Sequence, residues 1–117
     1  MQLFTKEIEK KLRANHQKQK PVQGTEGEID FKPVLKCFTP DGGATWLFTE
    51  LHDDGDTLFG LCDLGLGCVE LGYVSLAELK SLRGKLGLPV ERDRWFTANK
   101  TLNEYTGESS KQGRIAA

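Results

Sequence analysis

Apolar residues recur in the first fifteen positions at a spacing that predicts a helix. They lie three or four positions apart and would form one apolar stripe: Leu3, Phe4, Ile8 and Leu12. Thr5 is placed as the N-cap, because its hydroxyl can accept an amide hydrogen of the first turn. The pattern predicts a helix over residues 5–13 that ends near Asn15.

The middle of the chain alternates short apolar runs with Asp- and Gly-rich turn signals, which predicts β structure. The predicted strands are residues 33–38, 45–51, 58–63 and 69–74. Because the connections between them are short, successive strands should pair antiparallel as a meander.

A second helix is predicted directly after the fourth strand. Ser75 and Glu78 have the spacing of a capping box, and Gly84 is placed to end a helix over residues 76–82. The expected fold is therefore α+β: a four-stranded antiparallel meander with an N-terminal helix and a second helix after the fourth strand, both packed on one face. The expected core is Leu3, Ile8, Leu12, Trp46, Phe48, Leu71, Tyr73, Leu76 and Leu79.

Two segments have too few apolar residues to predict packed structure. Residues 16–30 are rich in Gln, Lys, Gly and Glu, which is typical of a mobile linker or loop. Residues 106–117 carry Gly, Ser and Lys and are expected to form a disordered tail. We therefore predict one domain over residues 1–105, which contains the linker.

Size and composition narrow the class of protein. A chain of 117 residues has room for one hydrophobic core. It has neither an apolar run of the roughly 20 residues that cross a bilayer nor an apolar leader, which predicts a cytoplasmic protein without membrane contact. The three cysteines are an odd count, so reduced thiols are expected. The formal net charge of -1 is unevenly distributed: the charges sum to +4 over residues 1–20, to -8 over residues 21–75 and to +3 over residues 76–117.

The acidic charge is densest at the second turn of the meander. An acidic patch of Glu50, Asp53, Asp54 and Asp56 surrounds His52. Oxygen ligands of this kind can bind a divalent cation, but the spacing does not fit an EF-hand loop. Aspartates also favour turns because they supply local hydrogen bonds, and we predict a solvated turn without metal.

Histidine and cysteine chemistry offers one further alternative. His52 with Cys37, Cys62 and Cys68 would suffice chemically for zinc. The ligands would come from separate strands without a knuckle pair, and two of the cysteines lie in apolar runs that are typical of core positions. The other histidine, His16, falls in the predicted linker. We therefore predict no catalytic residue, no metal ligand and no cofactor.

Arginine and tryptophan lie together near the end of the predicted domain. The group Glu91, Arg92, Arg94 and Trp95 has the enrichment of a protein interface, although a structural ion pair is the simpler interpretation. We predict it as the partner-binding surface. The basic N-terminal helix could contact phosphates, but it matches no nucleic-acid-reading motif, so direct nucleic-acid binding is not favoured.

Several blocks of sequence resemble the bacterial family catalogued as domain of unknown function 2958. The blocks are residues 3–7, 36–42 with Trp46, 59–61, 71–79, 83–84, 87–93, Phe96 and Leu102. The resemblance implies a context of plasmids and other mobile genetic elements, where counter-defence and transfer-accessory proteins are common. It implies no activity and no catalytic residue.

Two hypotheses of function follow. The first is a non-enzymatic accessory protein of a mobile element that binds a host or element-encoded protein or nucleoprotein complex, as an anti-CRISPR or anti-restriction inhibitor would. The alternative is a small metal-dependent enzyme centred on Glu50, His52 and Asp54. The oligomeric state is left open.

Overall fold

A computed structural model describes residues 3–117 of the chain. Its helices are α1 (Lys6–Gln19), α2 (Leu76–Ser81) and α3 (Leu102–Gln112), with a short 3-10 turn over Lys20–Val22. Its strands are β1 (Leu35–Phe38), β2 (Thr45–Leu51), β3 (Thr57–Asp63), β4 (Val69–Ser75) and β5 (Glu91–Arg92). No helix within residues 3–117 has the length and apolar character needed to cross a membrane.

The strands form one antiparallel sheet in the order β4-β3-β2-β1-β5. This confirms the predicted α+β class, with its four-stranded meander, its N-terminal helix and a helix after the fourth strand. The two-residue strand β5 was not predicted and pairs with β1 at the edge of the sheet.

Alternate residues of the strands are buried on opposite faces of the sheet, as the pleat requires. Trp46 and Phe48 join one cluster with Leu12 of α1 and Leu79 of α2. A second cluster lies on the other face, where α3 covers the sheet: Leu47, Leu61, Leu102, Tyr105 and Ile115. The placement of the two predicted helices on one face is confirmed, and a third helix closes the other face.

The predicted tail is helical. Helix α3 starts at a capping box of Thr101 and Glu104, and it ends at Gly113 in the left-handed conformation. The expectation of disorder from residue 106 is therefore wrong. Gly and Ser weaken the helix locally, but the burial of Tyr105 and Ile115 against the sheet stabilises it.

The predicted linker also begins as helix. Helix α1 continues to Gln19 instead of ending near Asn15, so residues 16–19 are not linker. The side-chain amide of Gln19 accepts a hydrogen bond from the Ile29 N–H at 2.9 Å and donates one to its carbonyl at 2.8 Å. These two hydrogen bonds hold Ile29, near the end of the loop that follows α1, against the helix.

Two residues of the expected core lie at the surface. Leu71 is 42% exposed and Tyr73 is 58% exposed, because β4 is the outermost strand of the sheet. Ile8 is half-buried, and the other six predicted core residues are buried.

Candidate metal centre

Three side chains with metal-binding atoms meet where α1 crosses the end of β2. His16 lies in the last turns of α1, Glu50 lies near the end of β2, and His52 follows that strand directly. The residues are 34 and two positions apart in sequence, so the fold alone brings His16 to the other two.

A β-bulge in β2 sets the direction of the Glu50 side chain. Phe48 pairs with Gly60 and Glu50 pairs with Phe59, which leaves Thr49 as an extra residue. Since side chains alternate along a strand, the extra residue turns Glu50 to the face of Phe59 instead of the face of Phe48. The Thr49 carbonyl accepts a hydrogen bond of 3.0 Å from the Asn15 amide, which fixes α1 against the bulge.

The three side chains form a compact group. One potential ligand atom from each residue lies within 4.8 Å of the other two. His16 Nδ1 is 3.1 Å from Glu50 Oε1, and both side chains are buried. The rings of His16 and His52 are stacked, with centroids 4.0 Å apart and planes 14° from parallel. The Tyr73 ring meets the His52 ring edge-on at 5.4 Å.

The surroundings keep His52 in the form that binds metal. Partial burial lowers its pKa most strongly, and the neighbouring His16 lowers it further, while Glu50, Asp54 and Asp53 act in the opposite direction. A lowered pKa favours the neutral imidazole, whose free ring nitrogen is a metal ligand.

A cleft gives access to this group. Two cavities of about 130 and 150 Å³ are both lined by Glu50 and share four lining residues. The shared residues are Gln19, Glu28, Glu50 and Phe59. The smaller cavity is also lined by His52 and Tyr73, so it opens onto His52 and Glu50, while His16 is buried behind them.

Two imidazoles and one carboxylate are a ligand set for divalent transition metals, including catalytic zinc. In a tetrahedral site with metal–ligand bonds of about 2.1 Å, two ligand atoms lie roughly 3.4 Å apart. The distance between His16 Nδ1 and Glu50 Oε1, 3.1 Å, is close to that value. His52 would have to turn out of its stack with His16 to complete the set, because the nitrogen lone pairs of two parallel rings do not converge on one ion. Three protein ligands would leave a further coordination position for water or substrate, and the cavity beside Glu50 and His52 would give access to these residues.

Comparison with protein families matches residues 3–116 to the family described as "Protein of unknown function (DUF2958)". The chain belongs to the DUF2958 family. The match spans nearly the whole chain and includes all three residues of this candidate metal site, the His16–Glu50–His52 cluster. Comparisons with curated proteins and with solved structures gave no match.

The aspartates of the predicted acidic patch stabilise the structure of this DUF2958 chain locally. Asp53 accepts hydrogen bonds from Gln17 and Lys20 of the α1 end, and Asp56 accepts them from Ser75 and Ala77 at the start of α2. Asp54 accepts hydrogen bonds from the Thr57 hydroxyl, the Thr57 N–H and the Asp56 N–H, which together lower its pKa to about 2.

Asp54 therefore stabilises the turn between β2 and β3. Of the three residues of the hypothesised enzyme site, only Glu50 and His52 lie together, and their third neighbour is His16 instead of Asp54. His16 was missed because it was assigned to a linker. The signal was present in the sequence: positions 8, 12, 16 and 19 continue the stripe of α1 at helical spacing, although the last two are polar.

The cysteines lie elsewhere. Burial raises the pKa of the Cys37 thiol to about 12 and that of the Cys62 thiol to about 11, while Cys68 is exposed. Within residues 3–117 the cysteines join no metal-binding group with His52, so the alternative zinc set is not assembled.

The predicted partner-binding surface lies at the β5 edge of the sheet, which is the edge opposite β4. Glu91 and Arg92 form β5, and Arg94 and Trp95 follow it. Trp95 is 93% exposed, and Arg94 and Glu91 are exposed beside it. Asp93 accepts a hydrogen bond of 2.9 Å from the Trp95 N–H and lies 3.5 Å from Lys36 Nζ, which anchors the segment to β1.

Proposed function

We propose that this chain is a small metal-dependent enzyme that binds one divalent transition-metal ion through the His16–Glu50–His52 cluster. The observation that carries the proposal is the meeting of two imidazoles and a carboxylate within 4.8 Å at a cleft. It departs from the expectation, drawn from the sequence, that the chain has no metal ligand. It keeps Glu50 and His52 of the alternative hypothesis and replaces Asp54 by His16.

The reaction class follows from the chemistry of the site. A bound divalent ion supplies a Lewis acid and a water molecule that is activated near neutral pH, which suits hydrolysis. In the metal-free chain the hydrogen bond between the buried His16 and Glu50 holds these two side chains together, and a bound ion would replace it. Tyr73 lines the same cavity as His52 and is 58% exposed, so its phenol is placed to donate a hydrogen bond to a substrate oxygen.

Metal titration tests the site itself. Protein stripped of metal with a chelator is expected to bind one Zn²⁺ per chain in calorimetry. The His52→Ala substitution is expected to weaken this binding by more than about 100-fold, because loss of a residue that only contacts a ligand already weakens metal binding by up to that factor. Asp54→Asn is the matched control, because it removes a neighbouring charge but no proposed ligand. Absence of stoichiometric binding, or an equal effect of both substitutions, would refute the site.

Hydrolysis of chromogenic substrates tests the enzymatic part. Zinc-loaded protein is incubated with a nitrophenyl carboxylic ester and with a bis-nitrophenyl phosphate diester. We expect turnover of at least one of these substrates, and we expect the turnover to be lost when a chelator is added or when His52 is replaced by alanine. Tyr73→Phe is expected to retain zinc and to turn over more slowly, because it removes only the phenol. Zinc binding without turnover of either substrate would count against hydrolysis while leaving the metal site intact.

The exposed Trp95 supports a second candidate function, the accessory protein of a mobile element that binds a host or element-encoded protein or nucleoprotein complex. A tryptophan that is 93% exposed beside an exposed arginine has the composition of an interface hot spot. In this interpretation the partner belongs to a defence system that the chain inhibits in the cytoplasm.

A pull-down with matched variants tests this surface. If a partner is recovered with the native chain, Trp95→Ala is expected to weaken its binding by about 2 kcal/mol or more, and Arg94→Ala by a similar amount. Leu66→Ala is the control, because Leu66 is an exposed apolar residue, at 81%, outside the predicted surface. A partner that binds all three variants equally would place the interface elsewhere.

A further inference from the structure

The two edges of the sheet differ in how they are protected from further strand pairing. One edge strand, β5, is only two residues long and both residues are charged. The other, β4, has seven residues, pairs with β3 without a register shift, and contains neither Pro nor Lys. Short, charged or interrupted edges are the usual means by which proteins prevent strand addition, and of these β4 has only one charged residue, Glu70.

The outer edge of β4 presents unsatisfied backbone groups and apolar side chains. Within residues 3–117, β4 pairs with β3 alone, so the amides and carbonyls on its other side have no strand partner. Leu71 and Tyr73 lie on one face of the strand and are 42% and 58% exposed. Glu70 is the single charged residue of β4.

We propose that β4 pairs antiparallel with β4 of a second copy of this chain, about a two-fold axis at Gly72. Gly72 is the central residue of Val69–Ser75, so this register matches the strand with itself over its whole length. The two five-stranded sheets would become one continuous sheet. This inference does not depend on the proposed metal site.

The sequence of β4 suits itself as a partner. In this register Leu71 lies opposite Tyr73 of the second copy, so each copy covers the exposed apolar side chains of the other. Glu70 lies opposite Val74, and therefore no like charges face each other across the axis. The net charge of -1 gives little repulsion between two copies.

The interface would lie beside the cleft. The Tyr73 ring contacts both His52 and Phe59, with centroids 5.4 and 5.1 Å away. A second copy that packs on Tyr73 would therefore form part of the cleft rim.

A cysteine placed on the two-fold axis tests the register. In a Cys68→Ser background, Gly72→Cys is expected to form a disulfide-linked dimer under mild oxidation, because residues directly opposite in antiparallel strands have Cα atoms about 4.5 to 5.5 Å apart. A Cβ at Gly72 would meet no atom within 4 Å, so the variant should fold. Glu70→Cys is the control: its two copies would be about 14 Å apart and should not cross-link.

Analytical sedimentation of the native chain, without a substituted cysteine, measures dimer formation independently. We expect a concentration-dependent dimer at micromolar protein, and an increase of at least about tenfold in the dissociation constant for Leu71→Lys, since lysine protects edge strands. A native chain that stays monomeric to millimolar concentration would overturn the proposal. So would equal cross-linking at positions 70 and 72, or a dimer unaffected by Leu71→Lys.

Discussion

Replacement of Gly60 by alanine is expected to lower the free energy of unfolding by at least about 3 kcal/mol, at the upper end of the range for overpacked sites. A Cβ at Gly60 would lie 1.9 Å from the Leu47 carbonyl oxygen and 2.8 Å from the Phe48 Cα. Both are backbone atoms of the neighbouring strand β2, and a strand cannot move away without breaking its hydrogen bonds. The clash also lies next to the bulge that directs Glu50, so any relaxation would disturb the His16–Glu50–His52 cluster.

Gly72→Ala is the matched control, because Gly72 is the strand partner of Gly60 in β3 and β4. A Cβ at Gly72 meets nothing within 4 Å, so this substitution should be neutral or stabilise the protein by about 0.4–1 kcal/mol. Urea unfolding at low protein concentration measures both. Similar stabilities of the two variants would mean that β2 and β3 are not as close as the structure places them.

The strands were predictable because their signals are local. The predicted bounds of β2, residues 45–51, match the structure, and those of β3 and β4 differ by one residue. The N-cap roles of Thr5 and Ser75 are confirmed: each hydroxyl accepts a backbone amide hydrogen of its own helix, from Ile8 and Glu78. Apolar alternation, turn residues and caps act within a few positions, so a single sequence contains them in full.

Helix α3 was missed although its cap was visible. Thr101 and Glu104 have capping-box spacing, and both reciprocal bonds form. The low helix propensity of Gly107 and its serine neighbours favoured a disordered tail. Packing of Tyr105 against the outer face of the sheet outweighs that propensity, and packing partners distant in sequence cannot be derived from a local pattern.

The candidate site was predictable only in part, for the same reason. Glu50 and His52 are close in sequence and were named together, but their association with His16 depends on the length of α1 and on the bulge at Thr49. Nothing in the sequence marks an extra residue in β2. Without the bulge, alternation would place Glu50 on the face of Phe48, within an apolar cluster.

The His16→Ala substitution is expected to destabilise the metal-free protein by about 3 kcal/mol, because it breaks a buried pair from one side. His16 and Glu50 are 6% and 5% exposed, and the His16 ring is the side-chain hydrogen-bond partner that the structure gives to the Glu50 carboxylate. Truncation would leave that carboxylate buried without a partner and would open a cavity against the His52 ring, which now stacks on His16. Chemical denaturation in the presence of a chelator measures the loss, with the exposed Lys18→Ala on the same helix as the control.

The double variant His16→Ala/Glu50→Ala separates the orphaned charge from the lost packing. If the carboxylate without a partner accounts for much of the destabilisation, removing Glu50 as well should return at least about 1 kcal/mol relative to His16→Ala alone, since a buried polar group left unpaired costs that much or more. Strictly additive losses would instead mean that the two side chains contribute only by packing, and that Glu50 reaches water when His16 is absent. Either variant is expected to lose the rise in unfolding midpoint that Zn²⁺ should produce in the native chain, because metal that binds only the folded state stabilises it by mass action.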